Sequence, residues 1–124
     1  MLYVRRDMHR DLTVLCVSTE ILDLPGAVIT DGNAASDYTA FLPSPEGLGR
    51  IRKDLVFAEY WTDNDIFEYW RKKRSKCAEV LIPNVTEPRF IIGAYVSCQE
   101  SKRRLEIAGG DLSVTIDAHL FFQS

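Results

Sequence analysis

A chain of 124 residues with 46% hydrophobic and 27% charged residues suffices for one domain and one modest core. The formal net charge of -3 excludes a global positive field for nucleic acid, so any such contact must come from a local patch. Three widely spaced cysteines, Cys16, Cys77 and Cys98, argue against a disulfide framework and for a reducing compartment.

Taken in chain order, Met1-Leu2-Tyr3 looks like the middle of an amphipathic element without an entry signal. The opening MLYVRRDMHRDL is too charged for a secretory apolar region, and no apolar run approaches the ~18 residues of a membrane span. A cytoplasmic protein without membrane contact is expected. Thr13 to Ser18 (TVLCVS) predicts a buried strand, and Leu24-Pro25-Gly26 a turn. Ala27 to Thr30 (AVIT) predicts a second strand. In the DGNAAS that follows, Gly32 permits a reversal, and Asp31 or Asn33 is placed to cap a helix toward Phe41. Pro43 to Gly49 predicts a loop.

Arg52 to Trp61 (RKDLVFAEYW) has apolar residues at helical spacing and predicts a helix. Thr62 to Cys77 is polar, aromatic and basic without a clear period, and predicts mostly loop. Ala78 to Ile82 (AEVLI) predicts a strand stopped by Pro83. Phe90 to Val96 predicts another, with Gly93 marking a bulge or a close backbone approach. Ser97-Cys98-Gln99-Glu100 has capping-box spacing and opens a helix ending at Gly109-Gly110. Val114 to Ile116 predicts a last strand, before an apolar end over Leu120 to Phe122. Strands and helices mixed without regular alternation imply α+β with a largely antiparallel or mixed sheet.

Glu79 is the conspicuous functional candidate. It sits where a basic run, RKKRSK, turns into an apolar strand, and alternation puts it on one strand face with Leu81. One reading is a solvated edge carboxylate. The other is functional, because the preceding segment holds Trp61, Trp70, Tyr60, Phe67 and Tyr69 beside Arg71, Lys72, Lys73, Arg74 and Lys76. Aromatics offer stacking surfaces and cations neutralise phosphates, as in single-strand nucleic-acid sites. The plainer alternative makes the aromatics core anchors and the cations a solvated face.

His9 and His119 lie far apart, and no metal-ligand spacing occurs, so no metal is expected. A nuclease holding Mg²⁺ on Asp63, Asp65 and Glu79 remains a reading to test, but Leu81 stands where restriction-type nucleases want lysine. No P-loop or GxGxxG is present.

Three stretches in order, ITDGNAASDYTAF (29–41), AEYWTD (58–63) and RKKRSKCAEVLIP (71–83), followed by FIIGAYVS (90–97) and HLFF (119–122), resemble the C-terminal part of the DarT toxins. The resemblance covers the chain from about residue 13 to its end. It implies an ADP-ribosyltransferase-like mixed sheet with flanking helices, residues 1–124 being the C-terminal part of such a domain. It implies transfer of ADP-ribose from NAD⁺ to thymine in single-stranded DNA, as the toxin of a toxin–antitoxin system with a macrodomain antitoxin of the DarG type. By the resemblance, Glu79 is the catalytic glutamate and residues 61–78 the substrate-recognition loop. The turn Asp31 to Ala34 would line the DNA site, with Asn33 and the cations Arg71, Lys72, Lys73, Arg74 and Lys76 as DNA contacts.

MLYV resembles a helix segment that follows the family's NAD-binding half. The histidine and arginine that hold NAD⁺ in that half have no counterpart here, and Arg5, Arg6 and His9 do not match them. The N-terminal NAD-binding portion is therefore expected to be lacking, and whether the chain acts alone stays open. The 43–53 loop also departs from the acidic stretch the family leads one to expect. The alternative is a non-catalytic module that binds single-stranded DNA or an antitoxin.

Overall fold

The computed structural model describes residues 2–57 and 65–123. It divides into two compact units, Met1–Ser18 with Glu87–Ser124, and Thr19–Thr86. Each holds a three-stranded sheet among the described residues, so the expected α+β class is present but its strands form two small sheets.

In the first unit, β1 (Val14–Val17) pairs antiparallel with β5 (Ile91–Val96), and β5 pairs parallel with β6 (Ser113–Ile116). A parallel neighbour needs a crossover, and α3 (Gln99–Ala108) supplies it. Gly93 is buried in β5, where a Cβ would come within 3.2 Å of the Ser113 carbonyl oxygen. The close approach inferred for it is therefore real. Phe90, Ala94, Val96 and Phe121 are buried and form this unit's apolar interior.

The helix start differs from the capping-box reading. α3 begins at Gln99 with Cys98 at the cap, and Cys98 makes no side-chain cap bond. Ser97 is turned inward instead, and its hydroxyl lies 2.6 Å from His9 Nδ1. The Ser101 hydroxyl donates to the Arg10 carbonyl at 2.8 Å. Those two bonds fasten the N-terminal 3-10 turn, Arg6–Asp11, to the start of α3.

In the second unit, β2 (Val28–Thr30) lies between β3 (Phe41–Pro43) and β4 (Glu79–Leu81), antiparallel to both. Ala27, Ile29, Leu42 and Leu55 are its buried apolar residues. Gly47 packs so tightly on β3 that a Cβ there would lie 2.5 Å from Leu42 Cβ. Gly26, at φ +81°, makes the turn into β2.

Three sequence readings need correction in this unit. No helix follows Asp31 or Asn33; the segment makes tight turns and returns as β3. The Arg52 to Trp61 helix is seen only as α1 (Lys53–Val56), and residues 58–64, with Tyr60, Trp61 and Asp63, lie outside the described residues. The segment read as loop over 62–77 contains α2 (Ile66–Lys76). Asp65 starts α2 by accepting the Phe67 N–H at 2.9 Å, a cap that satisfies one of the orphan donors of the first turn. The aperiodic apolar pattern hid this helix: none of its residues is buried. Lys and Arg still propagate a helix well, and Lys73, Arg74 and Lys76 in the last turn oppose the negative dipole end.

Candidate active site

Three residues past the end of α2, Glu79 opens β4 opposite Thr30. Thr30 is fully buried, so its hydroxyl must find partners inside the protein. It accepts the Glu79 N–H at 3.0 Å and donates to the Gly32 carbonyl at 2.7 Å. One hydroxyl thus ties the glutamate's backbone to the turn after β2.

The glutamate's side chain is tied to the same turn. Glu79 Oε2 accepts the Ala34 N–H at 3.0 Å. Asn33 Oδ1 accepts the Ala35 N–H at 2.9 Å, the local bond expected of an Asx turn. The Thr39 hydroxyl donates to the Asn33 carbonyl at 2.6 Å and closes the loop from its far limb. Asp31 accepts the Ala40 N–H at 2.9 Å and an ion pair from Arg74 at 3.1 Å. Gly32 sits tightly: a Cβ would stand 3.0 Å from Arg74 Cγ and 3.1 Å from the Thr39 hydroxyl, so one of these side chains would have to give way. The carboxylate of Glu79 is therefore bonded to the turn that carries Asn33, at the neighbouring residue.

The basic run is sorted by its helix. Trp70, Arg71, Arg74 and Ser75 recur at the spacing of one face and, with Ala78, line an open cleft of about 290 Å³. Asp31, Arg50, Ile51, Arg52 and Val56 complete it. Glu79 does not line this cleft; its neighbour Ala78 does. Trp70 is 56% exposed, so its ring is available as a stacking surface. The Lys73 ammonium lies 5.3 Å from the Trp70 ring centre and 5.9 Å from that of Tyr69. Lys76 donates to the Val56 carbonyl at 3.3 Å.

The charges of the cleft are partly compensated. Arg71 faces Glu68 at 3.3 Å, and Arg52 holds Asp54 with two bonds, at 2.9 and 3.1 Å. The hydrogen bond from Arg52 keeps the Asp54 carboxyl below its ordinary range. Arg50 and Arg52 had no functional signal in the sequence, because only the fold brings the end of a 3-10 turn and the start of α1 to the same cleft as α2. The Thr30 hydroxyl was equally hidden: in AVIT it reads as a β-branched strand residue.

Among the described residues, no group of three or more His, Cys, Asp or Glu converges to hold a metal ion. Asp65 is used as the α2 cap, and Asp63 lies outside the described residues. His9 is engaged by Ser97, and Arg6 sits over the Tyr3 ring at 4.1 Å. Both have structural employment. No helix of the described residues is long and apolar enough to cross a membrane.

Comparison with known proteins bears on the fold. The fold matches that of Thermosipho africanus DarTG in complex with ADP-ribose with a TM-score of 0.82 and 31% identity, over 99% of this chain and 33% of that one. Thermus sp. 2.9 DarT in complex with NAD⁺ matches with a TM-score of 0.71 and 20% identity, over 86% of this chain and 56% of that one. By fold the chain is thus of the DarT ADP-ribosyltransferase class.

The family model described as "ssDNA thymidine ADP-ribosyltransferase, DarT" matches residues 1–122, and the chain belongs to the DarT family. A DNA ADP-ribosyl transferase-DNA ADP-ribosyl glycohydrolase fusion protein of Thermosipho africanus (strain H17ap60334) is 32% identical over 91% of the chain. The chain spans 29% of the length of that relative.

Proposed function

We propose that the chain carries the glutamate-bearing part of an NAD⁺-dependent ADP-ribosyltransferase acting on thymine in single-stranded DNA. The observation that carries this reading is the Glu79 carboxylate at the start of β4, clasped to the Asn33-Ala34 turn and following a basic, aromatic helix. Membership of the DarT family supports the substrate class.

In the proposed reaction the nicotinamide–ribose bond breaks, nicotinamide leaves with the bonding electrons, and positive charge builds on the ribose, as in glycoside hydrolysis. Glu79 stabilises that charge and accepts hydrogen bonds from the ribose hydroxyls. A thymine nitrogen then bonds to the ribose carbon, and its proton passes to Glu79 as general base. The Ala34 N–H and the Thr30 bracket orient the carboxylate for both tasks. Asn33 lies beside the bond that holds the carboxylate and is proposed to meet the incoming base. The face of α2 that carries Trp70 and Arg71 offers a ring for a base and a cation for a phosphate. NAD⁺ is consumed as a co-substrate, and no step here requires a metal.

The partner that fits this reading is a macrodomain antitoxin of the DarG type, since a curated relative is a fusion with a DNA ADP-ribosyl glycohydrolase. Free thiols at Cys16, Cys77 and Cys98 suit a reducing cytoplasm.

The test is incubation with NAD⁺ and a thymine-containing oligonucleotide, read by mass spectrometry. A gain of one ADP-ribose per strand is expected. Binding without any gain in mass would favour the second reading, a non-catalytic DNA-binding module, which the exposed cationic helix supports by itself.

Phosphate binding has its own signature. Neutralising Arg71, Lys72 and Lys73 together is expected to flatten the dependence of log K on log salt by ~0.7 for each cation that meets a phosphate. Fluorescence anisotropy over a salt series measures this, and an unchanged slope would remove the α2 cations from the interface.

A further inference from the structure

We propose that Arg74, unlike Arg71 and Lys73 on the same helix, is a positioning residue for Glu79 and not a phosphate contact. The inference rests on the reading of Glu79 as the catalytic carboxylate. It is carried by the way Arg74 is already occupied. One terminal nitrogen of its guanidinium lies 3.1 and 3.2 Å from the two Asp31 carboxylate oxygens, and donates also to the Tyr38 carbonyl.

Those acceptors stand on opposite limbs of one loop. Asp31 leaves β2, while Tyr38 to Ala40 leads back into β3. Asp31 reinforces the closure by accepting the Ala40 N–H. The aliphatic stem of Arg74 runs beside Gly32, as the 3.0 Å separation from a Cβ built there shows. Between the two limbs the loop presents the Ala34 N–H to Glu79 Oε2. Arg74 and Glu79, five residues apart, thus hold the same loop by different points.

A phosphate would have to displace Asp31 to reach the terminal nitrogen that Asp31 and Tyr38 hold, and the Asp31 charge opposes the local field that would draw one in. Arg71 and Lys73 carry no comparable tie to the loop: the first faces Glu68 on its own helix, and the second lies over Tyr69 and Trp70. The Arg74–Asp31 pair is about half exposed, so a role in holding geometry fits it better than a role in global stability.

The experiment is amide NMR on Arg74→Gln, with Glu79→Ala and Lys73→Gln alongside. Glu79→Ala removes the acceptor altogether and sets the full displacement of the Ala34 amide proton signal. Arg74→Gln is expected to displace that signal by at least about half as much, because a charge-assisted bond depends steeply on its geometry. Lys73→Gln should leave it in place. In oligonucleotide binding, Arg74→Gln should keep the wild-type salt slope. In transfer assays on the protein as the cell makes it, kcat should fall while KM for DNA holds.

An undisturbed Ala34 signal in Arg74→Gln would overturn the proposal. So would a salt slope reduced by the ~0.7 that belongs to one neutralised phosphate. If the wild type transfers nothing from NAD⁺ yet Arg74→Gln still moves the Ala34 signal, the enzymatic reading fails and the positioning of Glu79 by Arg74 stands.

Discussion

Glu79→Gln is expected to lower ADP-ribose transfer by about 10²- to 10⁴-fold while oligonucleotide binding stays near the wild-type level. The substitution is nearly isosteric. The glutamine carbonyl can still accept the Ala34 N–H, so the clasp between β4 and the turn is retained in form. The negative charge facing the developing ribose cation is lost, together with the ability to take a proton from the base. Because Glu79 is exposed and opens its strand, neither the small sheet nor the core of its unit depends on its charge. Binding should if anything strengthen, since an anionic group is removed near an anionic strand. Single-turnover assays with a thymine oligonucleotide, paired with anisotropy, would measure the two quantities separately. Wild-type transfer by the glutamine variant would take Glu79 out of the chemistry.

Phe121→Ala is expected to destabilise the unit built on β1, β5 and β6 by about 3–5 kcal/mol. Phe121 is fully buried, in a short 3-10 turn close to the chain end. Removing the ring leaves a cavity that the neighbouring strands cannot close without leaving their register. The turn itself is held locally, by the Phe121 N–H to Ala118 and the Gln123 N–H to Ala118. The backbone should therefore stay near its place and the void should persist. A thermal melt followed by circular dichroism should fall by ten degrees or more, on the order of 10–20 °C. A shift within a degree or two would show that the ring is not the anchor its burial implies.

Strands were the most legible part of the fold. TVLCVS, AVIT, AEVLI and FIIGAYV are compact β-branched or apolar runs, and each contains an observed strand. The β3 strand was missed because Phe41–Pro43 is three residues long and ends in proline, too short for alternation to register. The α2 helix was missed for the opposite reason. Its residues Ile66–Lys76 bury no stripe, so the period that betrays an amphipathic helix is absent.

At the site, Glu79 and the DGNA turn were visible because a lone carboxylate behind five cations is unusual chemistry. What joins them was not visible. The bonds of Thr30 to Gly32 and Glu79, and of Arg74 to Asp31, span 43 to 49 residues or turn on a hydroxyl that reads as strand filler. Such bonds exist only once the antiparallel register of β2 and β4 is fixed.

The donor that grips Glu79 belongs to the main chain of a residue whose side chain is already a single methyl group. A conventional mutational survey would pass over this position without a signal. Nineteen of the genetically encoded residues would supply an equivalent hydrogen, and proline alone would withhold it. The most consequential grip on the acid is therefore one that amino-acid identity scarcely encodes, and drift at position 34 can be broad while the reactive geometry persists.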